Sequence, residues 1–91
     1  MRIVYLSRPS CGVCVAVKSK ILEIIGKYHE LEGVDVDMDK IPESAGEFSI
    51  FTIPGILLYI DGRESIREAR YISIEDFEAK ISRLYHMIYP R

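Results

Sequence analysis

At 91 residues the chain has the length of one domain, since chains usually divide only above roughly 150 residues. With 48% apolar and 29% charged residues it has the composition of a folded globular protein and not of a disordered one. A net charge of −2 excludes an electrostatic nucleic-acid binder, and the longest apolar run, Ile56 to Ile60, is far short of the ~20 residues of a membrane span.

Taken in order, Ile3 to Leu6 predicts a buried strand, ended by Arg8-Pro9-Ser10. From Cys11 to Tyr28, apolar residues at Cys14, Val17, Ile21, Ile24 or Ile25, and Tyr28 recur at helical steps, with Gly26 expected near the helix end. Leu31 to Met38 reads as a second strand around Val34 and Val36, with Asp35, Asp37 and Asp39 interleaved. A short helix from Ile41 to about Phe48, with Pro42 in its first turn, follows. Ile56 to Ile60 is a third, buried strand. Asp61-Gly62 signals a hairpin to a polar fourth strand, Glu64 to Tyr71, whose Arg63, Arg67 and Arg70 suit a guarded sheet edge. Ser73-Ile74-Glu75-Asp76 opens a last helix in the manner of a capping box, with a stripe of Phe77, Ile81, Leu84 and Ile88 running to Pro90. The order β-α-β-α-β-β-α predicts an α/β fold: a mixed four-stranded sheet with helices on both faces. Strand–helix–strand crossovers give parallel neighbours, and the hairpin adds an antiparallel edge. The expectation is a single domain over residues 1–91, soluble, monomeric and cytoplasmic, with no secretory signal in its first residues.

The chain has two cysteines, Cys11 and Cys14, three residues apart. A bridge over so short a loop adds little stability, so the pair is placed for chemistry. Cys11 falls at the mouth of the long helix, where orphan N–H groups and the positive dipole end favour a thiolate with a pKa below the free-thiol value of ~8.5. Cys14, one turn further on the apolar stripe, is expected to be buried. An exposed attacking thiolate with a second thiol behind it is what disulfide exchange requires. A zinc site is the competing reading, but structural zinc takes four ligands and only His29 and His86 remain, both distant in sequence.

These features resemble the thioredoxin family: Cys11-Gly12-Val13-Cys14 after a first strand, Val36-Asp37-Met38-Asp39 closing a second, Ile53-Pro54 opening a third, and Asp61-Gly62 in the hairpin. The likeness begins at the first core strand, without the extra N-terminal strand and helix of typical bacterial thioredoxins. It implies a minimal thioredoxin fold and a thiol–disulfide oxidoreductase acting mainly as a reductant of cytosolic protein disulfides. It also implies Cys11 as nucleophile, Cys14 as resolving thiol, and a cis Ile53-Pro54 peptide beside them whose backbone pairs with extended substrate. No metal or organic cofactor is implied beyond the redox-active Cys11–Cys14 disulfide, with electrons supplied by an external reductase or thiol pool.

Several positions depart from the family pattern. Ser10 stands where a Trp is usual, Val13 where a Pro is, Tyr5 in place of a buried Asp, and Asp35 in place of a Lys. Gly55 replaces a Thr and Arg70 a Gly. Tyr5 either offers its hydroxyl to the thiol pair or is a core tyrosine bonded elsewhere. Arg8 either lowers the Cys11 pKa or selects acidic partners, or else is a solvated loop residue. Two other functions fit parts of the sequence. A glutathione-dependent glutaredoxin-like enzyme is suggested by Thr52-Ile53-Pro54, but Ala69-Arg70-Tyr71 stands where such proteins carry a Gly-Gly and acidic pair. A non-catalytic interaction module would use the groove beside Pro54 with idle cysteines.

Overall fold

The computed structural model describes residues 1–69 and 71–89 of the chain. Its elements are β1 (Arg2–Ser7), α1 (Gly12–Lys27), β2 (Glu32–Asp37), α2 (Ser44–Phe48), β3 (Gly55–Ile60), β4 (Arg63–Ala69) and α3 (Ile74–Ile88). The strands form one sheet in the order β2-β1-β3-β4.

β1 is central and covered on both faces, so its run Ile3-Val4-Tyr5-Leu6 is buried throughout. Alternate side chains leave a strand on opposite faces. Ile3 and Tyr5 therefore pack with Ile21 and Ile24 of α1, Ile56 and Leu58 of β3, and Phe77 and Ile81 of α3. Val4 and Leu6 join Val36, Met38, Ile50 and Leu57 on the other face, against which Ala45 and Phe48 of α2 lie. Helices thus cover both faces, as the pattern predicts.

β1 and β2 are parallel, joined through α1, while β3 is antiparallel to β1 and to β4. The second strand–helix–strand unit is therefore not a parallel crossover. Ser7 pairs with Asp37 and Leu6 with Gly55, so the segment between β2 and β3 begins and ends at the same end of the sheet. The only helix described in this segment, α2, is five residues long and rises ~7.5 Å at 1.5 Å per residue, so it does not run the length of a six-residue strand of ~20 Å.

α2 also starts later than predicted, at Ser44 and not Ile41. The Ile41 carbonyl accepts both the Ser44 N–H at 3.0 Å and the Ser44 hydroxyl at 2.6 Å, closing a turn that leaves Pro42 ahead of the helix. Gly26 does not end α1, which continues to Lys27 with Tyr28 as its C-cap. In α3 the buried stripe is Phe77, Ile81 and Tyr85, with Leu84 half-buried and Ile88 exposed. Ser73 caps it, its hydroxyl accepting the Asp76 N–H at 3.3 Å. The expected strand position at Arg70 and helix stop at Pro90 lie outside the described residues.

The β3–β4 hairpin turns at Asp61 (φ 52) and Gly62 (φ 77). Two successive left-handed residues make the turn whose twist matches the flanking strands, which is why Asp-Gly is found there.

Candidate active site

The C-terminal end of β1 and the N-terminal end of α1 meet at one end of the sheet, and the loop between them carries the cysteines. Cys11 is the N-cap of α1, with an extended backbone (φ −91, ψ 106). Its N–H donates to the Arg8 carbonyl at 3.1 Å, and its Sγ accepts the Cys14 backbone N–H at 3.1 Å. A cysteine sulfur thus takes the capping place usually held by a Ser or Asp oxygen. The N–H that a capping anion would neutralise points at the sulfur that must become a thiolate.

Cys14 lies one turn on, joined to Cys11 by a disulfide with Cα atoms 5.2 Å apart. The two sulfurs differ in access: Cys14 is 2% exposed in the core beneath α1, whereas Cys11 is only partly buried. An accessible sulfur at the helix mouth and a shielded one at bonding distance can cycle between dithiol and disulfide without moving the backbone far.

The Ile53-Pro54 peptide is cis. Because Gly55 pairs with Leu6, the proline sits at the same end of the sheet as the cysteine loop. Pro54 is fully buried and Ile53 half-buried, its side chain touching the clusters on both faces. Gly55 permits this packing: a Cβ there would come within 2.5 Å of Ile50 Cγ2 in the core.

Ser10, Gly12 and Val13 are exposed around the pair, Val13 by 61%. The Tyr5 hydroxyl donates to the Cys14 carbonyl oxygen at 2.5 Å and not to a sulfur. Burial, with the Asp35 charge behind it, pushes the Tyr5 pKa up to about 12. The tyrosine holds the backbone of the second cysteine and stays protonated. The Arg8 guanidinium pairs with Asp39 at 3.3 Å, both half-exposed, so its charge is engaged across the loop. His29 and His86 are exposed, and His86 lies against Ser82 and Tyr85 of its own helix, α3. Among the described residues no cluster of three or more His, Cys, Asp or Glu side chains is placed to hold a metal ion. No described helix is long and apolar enough to cross a membrane.

Sequence reasoning missed several neighbours. Lys18 donates to Asp35 at 2.5 Å across α1 and β2, and its spacing of four from Cys14 was the available signal. Phe51, 77% exposed, stands in an irregular segment that no periodicity marks, and Tyr71, 82% exposed, lies beyond the end of β4 at Ala69 and not in the fourth strand as predicted. Tyr71 and Val13, with Val17 and Ile72, line a hollow of about 400 Å³ on one side of the cysteine loop.

Comparison with known proteins agrees with this geometry. The Thioredoxin family model matches residues 1–83. The thioredoxin-like protein YdfQ of Bacillus subtilis is 39% identical over 84 residues, covering 92% of this chain and 75% of its own. Thioredoxin H8 of Arabidopsis thaliana is 29% identical over 73 residues, 80% of this chain but 49% of its own length. The structure of thioredoxin 1 from Thermosipho africanus superposes with a TM-score of 0.89 at 26% identity, covering 97% of this chain and 98% of that one. A family match over most of the length, the shared fold, and a Cys-x-x-Cys pair at bonding distance lead to one conclusion: the chain belongs to the thioredoxin family and is a thiol–disulfide oxidoreductase.

Proposed function

We propose that the protein reduces disulfides in protein targets of the cytoplasm, acting as a monomer and drawing electrons from an external reductase or thiol pool. The observation that carries this reading is the unequal pair: Cys11 capping α1 with partial access to solvent, and Cys14 buried one turn behind it. The Cys11 thiolate attacks a target disulfide, forming a mixed disulfide and expelling one target sulfur as thiolate. Cys14 loses its proton, bonds to Cys11 Sγ and expels the second target sulfur. Two electrons pass to the target, and Cys11–Cys14 is left oxidised. The Ile53 backbone, presented by the cis Pro54, pairs with an extended target segment as an added strand. Exposed Gly12, Val13 and Ser10 form the rim the target meets.

A Cys14→Ser protein, unable to resolve, is expected to accumulate a mixed disulfide with an insulin chain, formed by attack on an insulin disulfide, or with a native target. Cys11→Ser is expected to lose insulin reduction to the background rate. Activity sustained by glutathione and glutathione reductase, and not by a thioredoxin reductase, would make the enzyme glutaredoxin-like. A Cys11→Ser protein that keeps its full biological effect would make it an interaction module.

A further inference from the structure

Cys14 must lose a proton before it can attack, yet it is 2% exposed and sits over an apolar cluster. Desolvation disfavours its thiolate, so the step needs both a proton acceptor and a counter-charge. One side of the residue opens on a crevice of about 230 Å³, room for several waters at ~30 Å³ each, which Cys14 lines together with Lys18, Asp35, Asp37 and Arg8. Lys18 follows Cys14 by one helical turn and so shares its face of α1. Asp35 faces it from β2 and accepts the Lys18 ammonium at 2.5 Å.

The other groups around this point are committed. From β1, Tyr5 gives its hydroxyl to the Cys14 carbonyl and stays protonated to about pH 12. Asp37, further along β2, accepts the Asp39 N–H at 2.9 Å. Arg8 in the loop pairs with Asp39. Glu68 of β4 lies on the same cross-strand row as Asp35, beyond Tyr5 and Ile56, but it does not line the crevice, and it pairs with Lys80 of α3 at 3.9 Å.

We propose that Asp35, held in place by Lys18, is the proton acceptor for Cys14 in the resolving step. This rests on the exchange reading above. The Cys14 Sγ–H bond breaks, and the proton passes through crevice water to an Asp35 carboxylate oxygen. Sγ bonds to Cys11 Sγ, the bond from Cys11 to the target sulfur breaks, and that sulfur leaves with the electron pair. Net charge in the crevice is unchanged: the negative charge moves from Asp35 to Cys14, and the Lys18 ammonium is counter-ion to both in turn. A carboxylate on β2, the strand next to β1, thereby serves a thiol to which β1 offers only the Tyr5 phenol.

The test mixes reduced protein with 5,5′-dithiobis(2-nitrobenzoate), which releases one chromophoric thiolate when Cys11 attacks and a second when Cys14 resolves the adduct. Asp35→Asn is expected to slow the second release relative to the first by about tenfold or more and to move its pH profile upward. Asp35→Glu is expected to restore the second phase to within a few-fold, and Glu68→Gln to leave the ratio of phases as in the unmodified protein. The proposal is overturned if Asp35→Asn keeps the ratio and the profile, if both phases slow together, if Asp35→Glu is as slow as Asp35→Asn, or if Glu68→Gln is the variant that slows resolution. Absence of the first phase in the unmodified protein would instead overturn the exchange reading itself.

Discussion

Tyr5 shows how a single substitution in a shared fold redistributes work. A carboxylate at this position would be buried beside Cys14, whereas the phenol bonds to that residue's carbonyl and carries no charge. An unfolded tyrosine ionises near pH 10, while Tyr5 in the folded chain holds its proton to about 12, chiefly through burial. The stabilisation is therefore complete below pH 10 and is lost as pH rises through that window, because the unfolded state ionises first. Tyr5→Phe is expected to cost about 1 kcal/mol at neutral pH through the missing hydrogen bond. It should also flatten the decline of stability between pH 10 and 12, read by urea unfolding of the oxidised protein. Parallel declines in the two proteins would contradict the assignment. The sequence marked Tyr5 as a departure but left open where its hydroxyl went. That depended on the Cys14 carbonyl lying within reach, which only the packing of α1 on β1 decides. Arg8 was ambiguous for the same reason: its neighbour Asp39 comes from beyond β2, more than thirty residues away in the chain.

At the scale of elements, β1, α1, β3 and the hairpin were legible because their signals are local: an apolar run, a helical stripe, an Asp-Gly turn. α2 was not, since its start depends on a turn in which the Ile41 carbonyl accepts two bonds from Ser44. Its other end depends on β4. Arg67, which the sequence suggested only as an edge guard, donates to the Phe48 carbonyl at 2.9 Å and the Ser49 carbonyl at 3.1 Å while pairing with Glu64. These contacts tie the C-terminal end of α2 to the neighbouring strand, just ahead of the segment that carries Ile53-Pro54. Exposed ion pairs contribute little, but orphan helix carbonyls bonded to a cation contribute more. Arg67→Ala is therefore expected to destabilise by about 1 kcal/mol in chemical denaturation, and Glu64→Ala, which removes only the ion pair, by clearly less. Equal losses would show that the carbonyl bonds add nothing.

For the molecule as a whole, the sheet order brings two separate stretches to one end: the loop after β1 that runs into the mouth of α1, and the cis proline before β3. The two-faced core keeps that end fixed, with α1 and α3 on one side and α2 on the other. The element order and the cysteine spacing foretold the cysteines at the helix mouth, whereas the cis proline beside them was implied only by the resemblance to the thioredoxin family. The antiparallel placement of β3 beside β1 was not foretold, because no local pattern in the sequence marks it. What the gathering achieves is to set one sulfur where the first turn of a sixteen-residue helix offers an unfilled N–H. The most direct test is the pH dependence of iodoacetamide alkylation of the reduced protein with Cys14 replaced by serine, so that Cys11 alone reports. A half-maximal rate clearly below pH 8.5 is expected, because the helix mouth favours the ionised sulfur. A half-maximal rate at or above that of a free thiol would contradict the account.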